Sequence, residues 1–312
     1  SNNSKIMRHI FLILMFFVVT EIYAQQDPIF SNYYENEIII NPAISGSKSY
    51  NPLSIKARQQ WLGFENAPLT STISYHGALN NRSAMGGYLL FDRSFPSTQA
   101  NLHLSYAYHV PLNYDKVNLS FGLGAKVMYY TLDFNSGDLP PGDDYAFSSS
   151  SYEKTIGDAS SGIYLYGRNF YFGFSASNLF QSTFNTAISG SPYSNIEYRN
   201  YFGNGGYKFK IINNDWQFEP SFLIRKMLYQ PNITDLKARI IFLEKTWATL
   251  SYRSSGSAIF GFGFTKGNMH FSYSYDHTFV GEIMNYNYGT HEIGITFKIE
   301  TMSTQRHIGF WQ

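Results

Sequence analysis

Residues His291-Glu292-Ile293-Gly294-Ile295-Thr296-Phe297-Lys298-Ile299 decide the fold. Ile293, Ile295, Phe297 and Ile299 fall on one side of an extended chain, and Glu292, Gly294, Thr296 and Lys298 on the other. A period of two belongs to a β-strand whose two faces meet different surroundings. Upstream, Leu102, Leu104, Tyr106, Tyr108 and Val110 oppose Asn101, His103, Ser105, Ala107 and His109. Trp216, Phe218, Phe222 and Ile224 likewise oppose Gln217, Glu219, Ser221 and Arg225. In 257–266, Phe260, Phe262 and Phe264 alternate with Gly261 and Gly263, which leaves the second face nearly bare.

About fourteen such segments are predicted, near 53–61, 69–77, 84–92, 99–110, 116–132, 159–167, 170–178, 197–211, 216–227, 234–243, 246–253, 257–266, 268–276 and 289–300;. Very short turns (Gly167-Arg168-Asn169, Asn213-Asn214-Asp215, Glu244-Lys245, Lys266-Gly267-Asn268) alternate with longer polar loops at 133–158, 179–196, 227–233 and 277–288. That asymmetry fits an all-β transmembrane barrel, up-and-down and antiparallel, with short periplasmic turns and longer extracellular loops. A soluble sandwich gives no reason for it.

Composition agrees. Aromatics make up 18% of the 312 residues and charged residues only 14%. A net charge of +1 gives nucleic acid no electrostatic hold, and with no cysteine there is neither a disulfide framework nor a thiolate site;. Lys5 and Arg8 precede ten apolar residues, Ile10 to Val19, and Ala24 stands before Gln25-Gln26-Asp27. This order predicts a signal peptide over 1–24. Ten residues are too few for a membrane helix, which needs about 20. Removing 1–24 takes Lys5, Arg8 and Glu21 from 23 basic and 22 acidic residues, leaving 21 of each. The expected organisation is then an N-terminal periplasmic or plug segment over 25–52, a barrel over 53–300 and a tail over 301–312. Ile38-Ile39-Ile40 should not stay in water, so the N-terminal segment is expected to be covered;.

The stretch from Gln26 to Thr70 carries a resemblance. It contains Asp27-Pro28-Ile29-Phe30, Asn41-Pro42-Ala43 with Gly46, Arg58-Gln59-Gln60-Trp61-Leu62-Gly63 and Pro68-Leu69-Thr70. Ser105-Tyr106-Ala107-Tyr108, Leu119-Ser120-Phe121-Gly122-Leu123 and His291-Glu292-Ile293 extend it over nearly the whole mature chain. The sequence resembles the PorP/SprF family of outer-membrane proteins associated with the type IX secretion system of gliding and related Bacteroidetes. The resemblance implies a non-enzymatic barrel in the Gram-negative outer membrane. Its implied partners are outer-membrane lipid, other secretion components, or a secreted surface adhesin whose C-terminal secretion domain it helps export and hold. Tyr34-Glu35-Asn36-Glu37 departs from the family's usual pattern in being more acidic.

Parity assigns roles to several residues. Trp61 ends the first strand, where an indole suits the membrane interface. Arg58 and Gln60 share the inward face; Arg58 is expected to clamp the N-terminal segment through Asp27 or a carbonyl, or to pair with Glu219 or Glu292. Lys126, Lys208, Lys210, Glu219, Arg225, Lys237, Arg239, Asp276, Glu292 and Lys298 also read as inward, an ion-paired lumen of mixed sign. The pairs His103-Leu104-Ser105 and His270-Phe271-Ser272 match an esterase spacing, but parity puts them in the lumen, away from lipid substrate. Asp133, Asp138, Asp143, Asp144 and Glu153 offer carboxylates to a calcium ion but match no calcium-loop pattern. No cofactor is expected. The loops are the expected docking surface, through Asp138, Asp143, Tyr145, Phe180, Phe184, Tyr193, Phe279 and Tyr286. The alternative is a passive channel or a transporter of hydrophobic solutes.

Overall fold

The structure is a computed structural model that describes residues 30–112, 116–132, 152–185, 194–212, 215–280 and 288–300. The expectations for Asp27, Pro28, Asp138, Asp143, Tyr145, Tyr193 and Tyr286, for the segment 1–24 and for the tail 301–312 lie outside those residues.

After three one-turn 3-10 helices (Tyr33–Glu35, Glu37–Ile39, Pro42–Ile44) come β1 (Asn51–Gln59), β2 (Leu69–Ala78), β3 (Ser83–Ser94), β4 (Ser97–Leu112), β5 (Val117–Leu132), β6 (Tyr152–Gly167) and β7 (Phe170–Ser177). A small hairpin, β8 (Thr183–Asn185) and β9 (Ser194–Ile196), stands apart from the main sheet. Then follow β10 (Asn200–Tyr207), β11 (Phe209–Ile212), β12 (Trp216–Met227), β13 (Ile233–Phe242), β14 (Thr246–Arg253), β15 (Ser257–Lys266), β16 (Met269–Thr278) and β17 (Thr290–Ile299).

Each strand pairs antiparallel with its neighbours, and β1 pairs with β17 from Asn51↔Ile299 to Gln59↔His291, which closes the barrel. β7 pairs with β10 and β10 with β12, while β11 continues β10 along β12. With β10 and β11 taken as one interrupted strand, the ring has 14 strands. Closure leaves no edge strand, so the wall strands pair around the ring even where lipid surrounds them;.

The polarity is inside-out relative to a soluble globule. In β14 exposed and buried residues alternate one by one from Thr246 to Arg253, with Leu250 and Tyr252 exposed and Thr249, Ser251 and Arg253 buried. Leu102, Leu104 and Tyr106 face out, while His103 and Ser105 face in. An exposed apolar belt is stable only if hydrocarbon covers it. Aromatic rings mark both rims of this belt: Trp216 against Phe242 at one, Tyr252 against Phe279 at the other.

The two ends differ as expected, with exceptions. The turn end has connections of two to four residues (79–82, 113–116, 168–169, 213–215, 243–245, 267–268). The loop end carries 60–68, 133–151, 178–199, 228–232 and 279–289, but also the tight turns 95–96 and 254–256. β6 starts at Tyr152, not near 159, so the loop before it is shorter than predicted. The strand predicted over 197–211 breaks at Lys208; the register shifts between Lys210 and Ile212, and Phe209, Lys210 and Ile211 are all exposed. Lys210 is therefore not a lumenal charge: the chain leaves the lumen there, and the two-sided alternation ends with it.

Candidate functional site

The lumen is occupied by the chain's own N-terminal segment. Residues 30–47 are buried almost throughout, and the apolar stretch that should not stay in water lies inside the ring. Its fixtures begin near the loop end with Ser31 and Asn32. The Glu292 carboxylate accepts the backbone N–H of Ser31 at 2.7 Å and that of Asn32 at 3.2 Å, while Lys56 Nζ donates to the Asn32 carbonyl at 2.6 Å. Lys56 and Glu292 are themselves 3.7 Å apart. The clamp through a carbonyl expected of Arg58 thus belongs to Lys56, two residues earlier on the same face. Arg58 points inward but serves the wall: it donates to Gln60 Oε1 at 2.9 Å and lies 4.0 Å from Asp276, not beside Glu219.

Further in, Glu35 meets Arg239 at 3.2 Å and His270 at 2.9 Å, and Arg239 also faces Glu219 at 3.8 Å. Burial alone would raise the Glu35 carboxyl, yet His270 and Arg239 hold it well below the usual carboxylate range;. Glu37 has a weaker partner, Asn204 Nδ2 at 3.3 Å, and burial pushes it up to about 7. The acidic departure at Glu35 and Glu37 is therefore spent inside the barrel. His270 Nε2 also lies 3.2 Å from Trp247 Nε1, but one ring nitrogen cannot serve both; the shorter contact to Glu35 prevails, with Nδ1 on Thr265 Oγ1 at 2.8 Å. Tyr34 packs edge-on against Trp247 with centroids 5.5 Å apart, and Lys237 Nζ sits 3.5 Å from its ring centre;.

The opposite wall holds the segment by shape. Asn41 starts the last helical turn: its Oδ1 accepts Ala43 N–H at 2.9 Å, and its Nδ2 donates to the Ile163 carbonyl at 3.0 Å;. Asn41-Pro42-Ala43 lies against Gly122 of β5, Gly162 of β6 and Gly173 of β7, where Gly122 and Gly162 are register partners. A methyl group at Gly122 would collide with the backbone of Pro42 and Ala43, and one at Gly162 with the Asn41 amide. Ser45 completes the seat on Ser105 Oγ at 2.8 Å and on His109 Nε2 through its carbonyl at 2.8 Å. Gly46, at φ +71°, donates to His76 Nδ1 at 3.0 Å;.

The His-x-Ser pairs are absorbed into this packing: His103 Nε2 bonds Ser160 Oγ at 2.8 Å, and Ser105 bonds Ser45. The remaining motif residues shape the loop-end rim. Gln60 N–H donates to the Pro68 carbonyl at 2.9 Å, Trp61 N–H to Thr290 Oγ1 at 3.2 Å, and Gly63, at φ +104°, lies under the Tyr288 ring. Thr70 donates to Asp92 at 2.5 Å. Phe180 and Phe279 are exposed at the loop end, and Phe184 lies on β8. No cluster of three or more His, Asp or Glu side chains placed to hold a metal ion occurs among the described residues. Sequence reasoning missed Leu223, Ile241 and Trp247, which face inward and seat Tyr33 and Tyr34. An apolar residue on the polar parity of a strand was the available signal.

A closed antiparallel ring of 14 strands with an apolar outside and a polar inside is an outer-membrane β-barrel. Two solved barrels share the fold: the Ralstonia pickettii toluene transporter TbuX (TM-score 0.51, 10% identity, 84% of this chain and 92% of that one) and the monoaromatic hydrocarbon channel CymD (TM-score 0.50, 12% identity, 89% and 95%). At such identities the likeness is one of fold alone. No curated protein matches the sequence. The model of the type IX secretion system membrane proteins PorP/SprF matches residues 22–297, and the chain belongs to that family. Its place is the outer membrane.

Proposed function

We propose that this barrel is a closed scaffold: it docks a secreted surface protein, or a component of the secretion machinery, on its loop end, and does not serve as an open conduit. The observation that carries the reading is the filled lumen. Residues 30–47 bond or pack against β1 and β17 through Lys56 and Glu292, against β13 and β16 through Arg239 and His270, and against β5 to β7 through the glycine seat. A barrel so filled presents its loops. By the usual orientation of such barrels the loop end faces outward. The exposed side chains there include Phe180 at 74% and Tyr288 at 74%, which suit a protein surface better than water;. The test is to shorten the loops at 133–151, 178–199 and 279–289 together. Surface display of the partner is expected to vanish while the barrel still inserts and resists heat. Undiminished display would overturn the reading.

One observation favours a second reading, a route for hydrophobic solutes: a cavity lined largely by apolar side chains lies between the inner segment and the loop-end half of the wall. Conductance or solute flux through the intact protein separates the two.

A further inference from the structure

The loop-end cavity is built as a binding site. Its floor is the inner segment itself, through Phe30, Ile38 and Ile40, and its walls include Leu90 and Leu223, both buried. Among the described residues no carboxylate lines it. Its two cations have partners: Lys126 bonds Glu197 at 2.5 Å and Asn178 at 2.7 Å, and Arg225 Nε bonds Asn200 at 3.1 Å. An anion therefore gains little there.

Polar atoms of the lining residues without a hydrogen-bond partner include Asn36 Nδ2, His103 Nδ1 and Asn101 Oδ1. Asn36 is 5% exposed and His103 3%. They share one patch of wall. Asn36 Oδ1 accepts from Ser74 Oγ at 2.7 Å, Ser74 is in register with Tyr88, and Tyr88 with His103, whose ring stacks on Tyr88 at 4.7 Å. Asn101 follows His103 two residues along the same face. With Asn36 Oδ1 occupied by Ser74, its amide end is fixed as a donor; Asn101 Oδ1 is an acceptor. One donor and one acceptor beside an apolar floor match a hydroxyl group, which both accepts and donates. Buried polar groups of this kind cost stability until they are paired.

Size narrows the ligand. The cavity has a volume of about 90 Å³. That is several times the roughly 10–15 Å³ a single water needs, so the cavity has room for a small molecule. A lipid tail with its headgroup exceeds that; a phenol or a short alkanol does not.

We infer that the loop-end cavity binds a small neutral hydroxylated apolar molecule of the phenol class, with the ring on Ile38, Ile40, Leu90 and Leu223 and the hydroxyl between Asn36 and Asn101. The site bears on the solute-route reading, yet binding and passage are separate: equilibrium binding tests the site, and flux tests the route.

The experiment titrates p-cresol, toluene and benzoate against the full barrel in lipid nanodiscs, with binding read by ligand-observed NMR. Saturable one-site binding is expected for p-cresol, weaker binding for toluene and weaker still for benzoate. Leu90→Trp, which fills the cavity, should abolish p-cresol binding. Asn36→Leu should weaken p-cresol about tenfold, the equivalent of about 1.4 kcal/mol, and leave toluene unchanged. Thermal unfolding of both variants checks that the barrel is intact. If p-cresol shows no saturable binding, or binds Leu90→Trp as it binds the parent, the site is refuted. Equal affinity for p-cresol and toluene would refute the hydroxyl recognition.

Discussion

The two halves of the barrel wall hold the same inner segment in opposite ways. The half made of β12 to β17 and β1 turns charge inward: Lys56, Arg58, Glu219, Asp235, Lys237, Arg239, Arg253, Asp276 and Glu292 are buried or nearly so. Arg253 and Asp235 form a two-pronged pair at 2.8 Å, and Asp276 joins Arg253 to Arg58. The half made of β2 to β7 turns in hydroxyls, imidazoles and glycines, such as Ser74, Ser105, His76, His109, Gly122 and Gly162. One half ties the segment by charge, and the other admits it by leaving room. A charged tie is exchangeable, because water can replace either partner once the lumen opens. A glycine seat is a matter of shape, and nothing replaces the missing volume except the segment itself.

The largest expected effect comes from breaking a tie on the charged half. Glu292→Leu leaves Lys56 buried without its carboxylate and orphans two backbone N–H groups, a loss of about 3–5 kcal/mol seen as a fall in denaturant midpoint and as protease access to residues 30–35. Restoring neutrality with Lys56→Met in the same chain should recover part of it; no recovery would mean that the two residues act separately. On the shape half, Gly122→Val forces side-chain volume into Pro42 and Ala43 and should cost about 1–3 kcal/mol. The signature to look for is displacement of the inner segment with the β-sheet signal of the ring unchanged.

The smallest effect is a dependence on pH through Glu37. Its carboxyl is raised by burial to about 7, above its unfolded value, so the folded chain holds a proton that the unfolded chain has released between those two values. The stability contributed is complete at acid pH and fades as pH rises through 7. Because Glu37 lines a second cavity, at the turn end beside Lys208, Glu244 and Lys298, water softens the effect to about 1–2 kcal/mol. Glu37→Gln should flatten the unfolding midpoint across pH 5–8; an unchanged slope would assign the dependence to another group.

The comparison also explains what could be read from the sequence. Strands were legible wherever lipid met one face and lumen the other, as in 291–299, because that contrast sorts side chains by parity. β6 escaped in part because its first turns run beyond the apolar belt. There Thr155 and Gly157 face out while Ile156 faces in, and the alternation no longer follows polarity. The site was less legible. Parity placed Arg58 and Glu292 inside, but which cation met the segment depended on its path: Lys56 lies level with Asn32, and Arg58 does not. Gly122 and Gly162 sit inside strand patterns that do not reveal what they make room for; only the path of Asn41-Pro42-Ala43 does.

The most direct test is conductance across a planar bilayer, with the intact barrel and Gly122→Val measured side by side. If the inner segment closes the lumen, the intact protein is silent and the variant, its seat filled, opens steps of measurable and stable size. A wide, steady pore in the intact protein, or silence in both while residues 30–47 become accessible in the variant, would contradict a barrel closed by its own N-terminal segment.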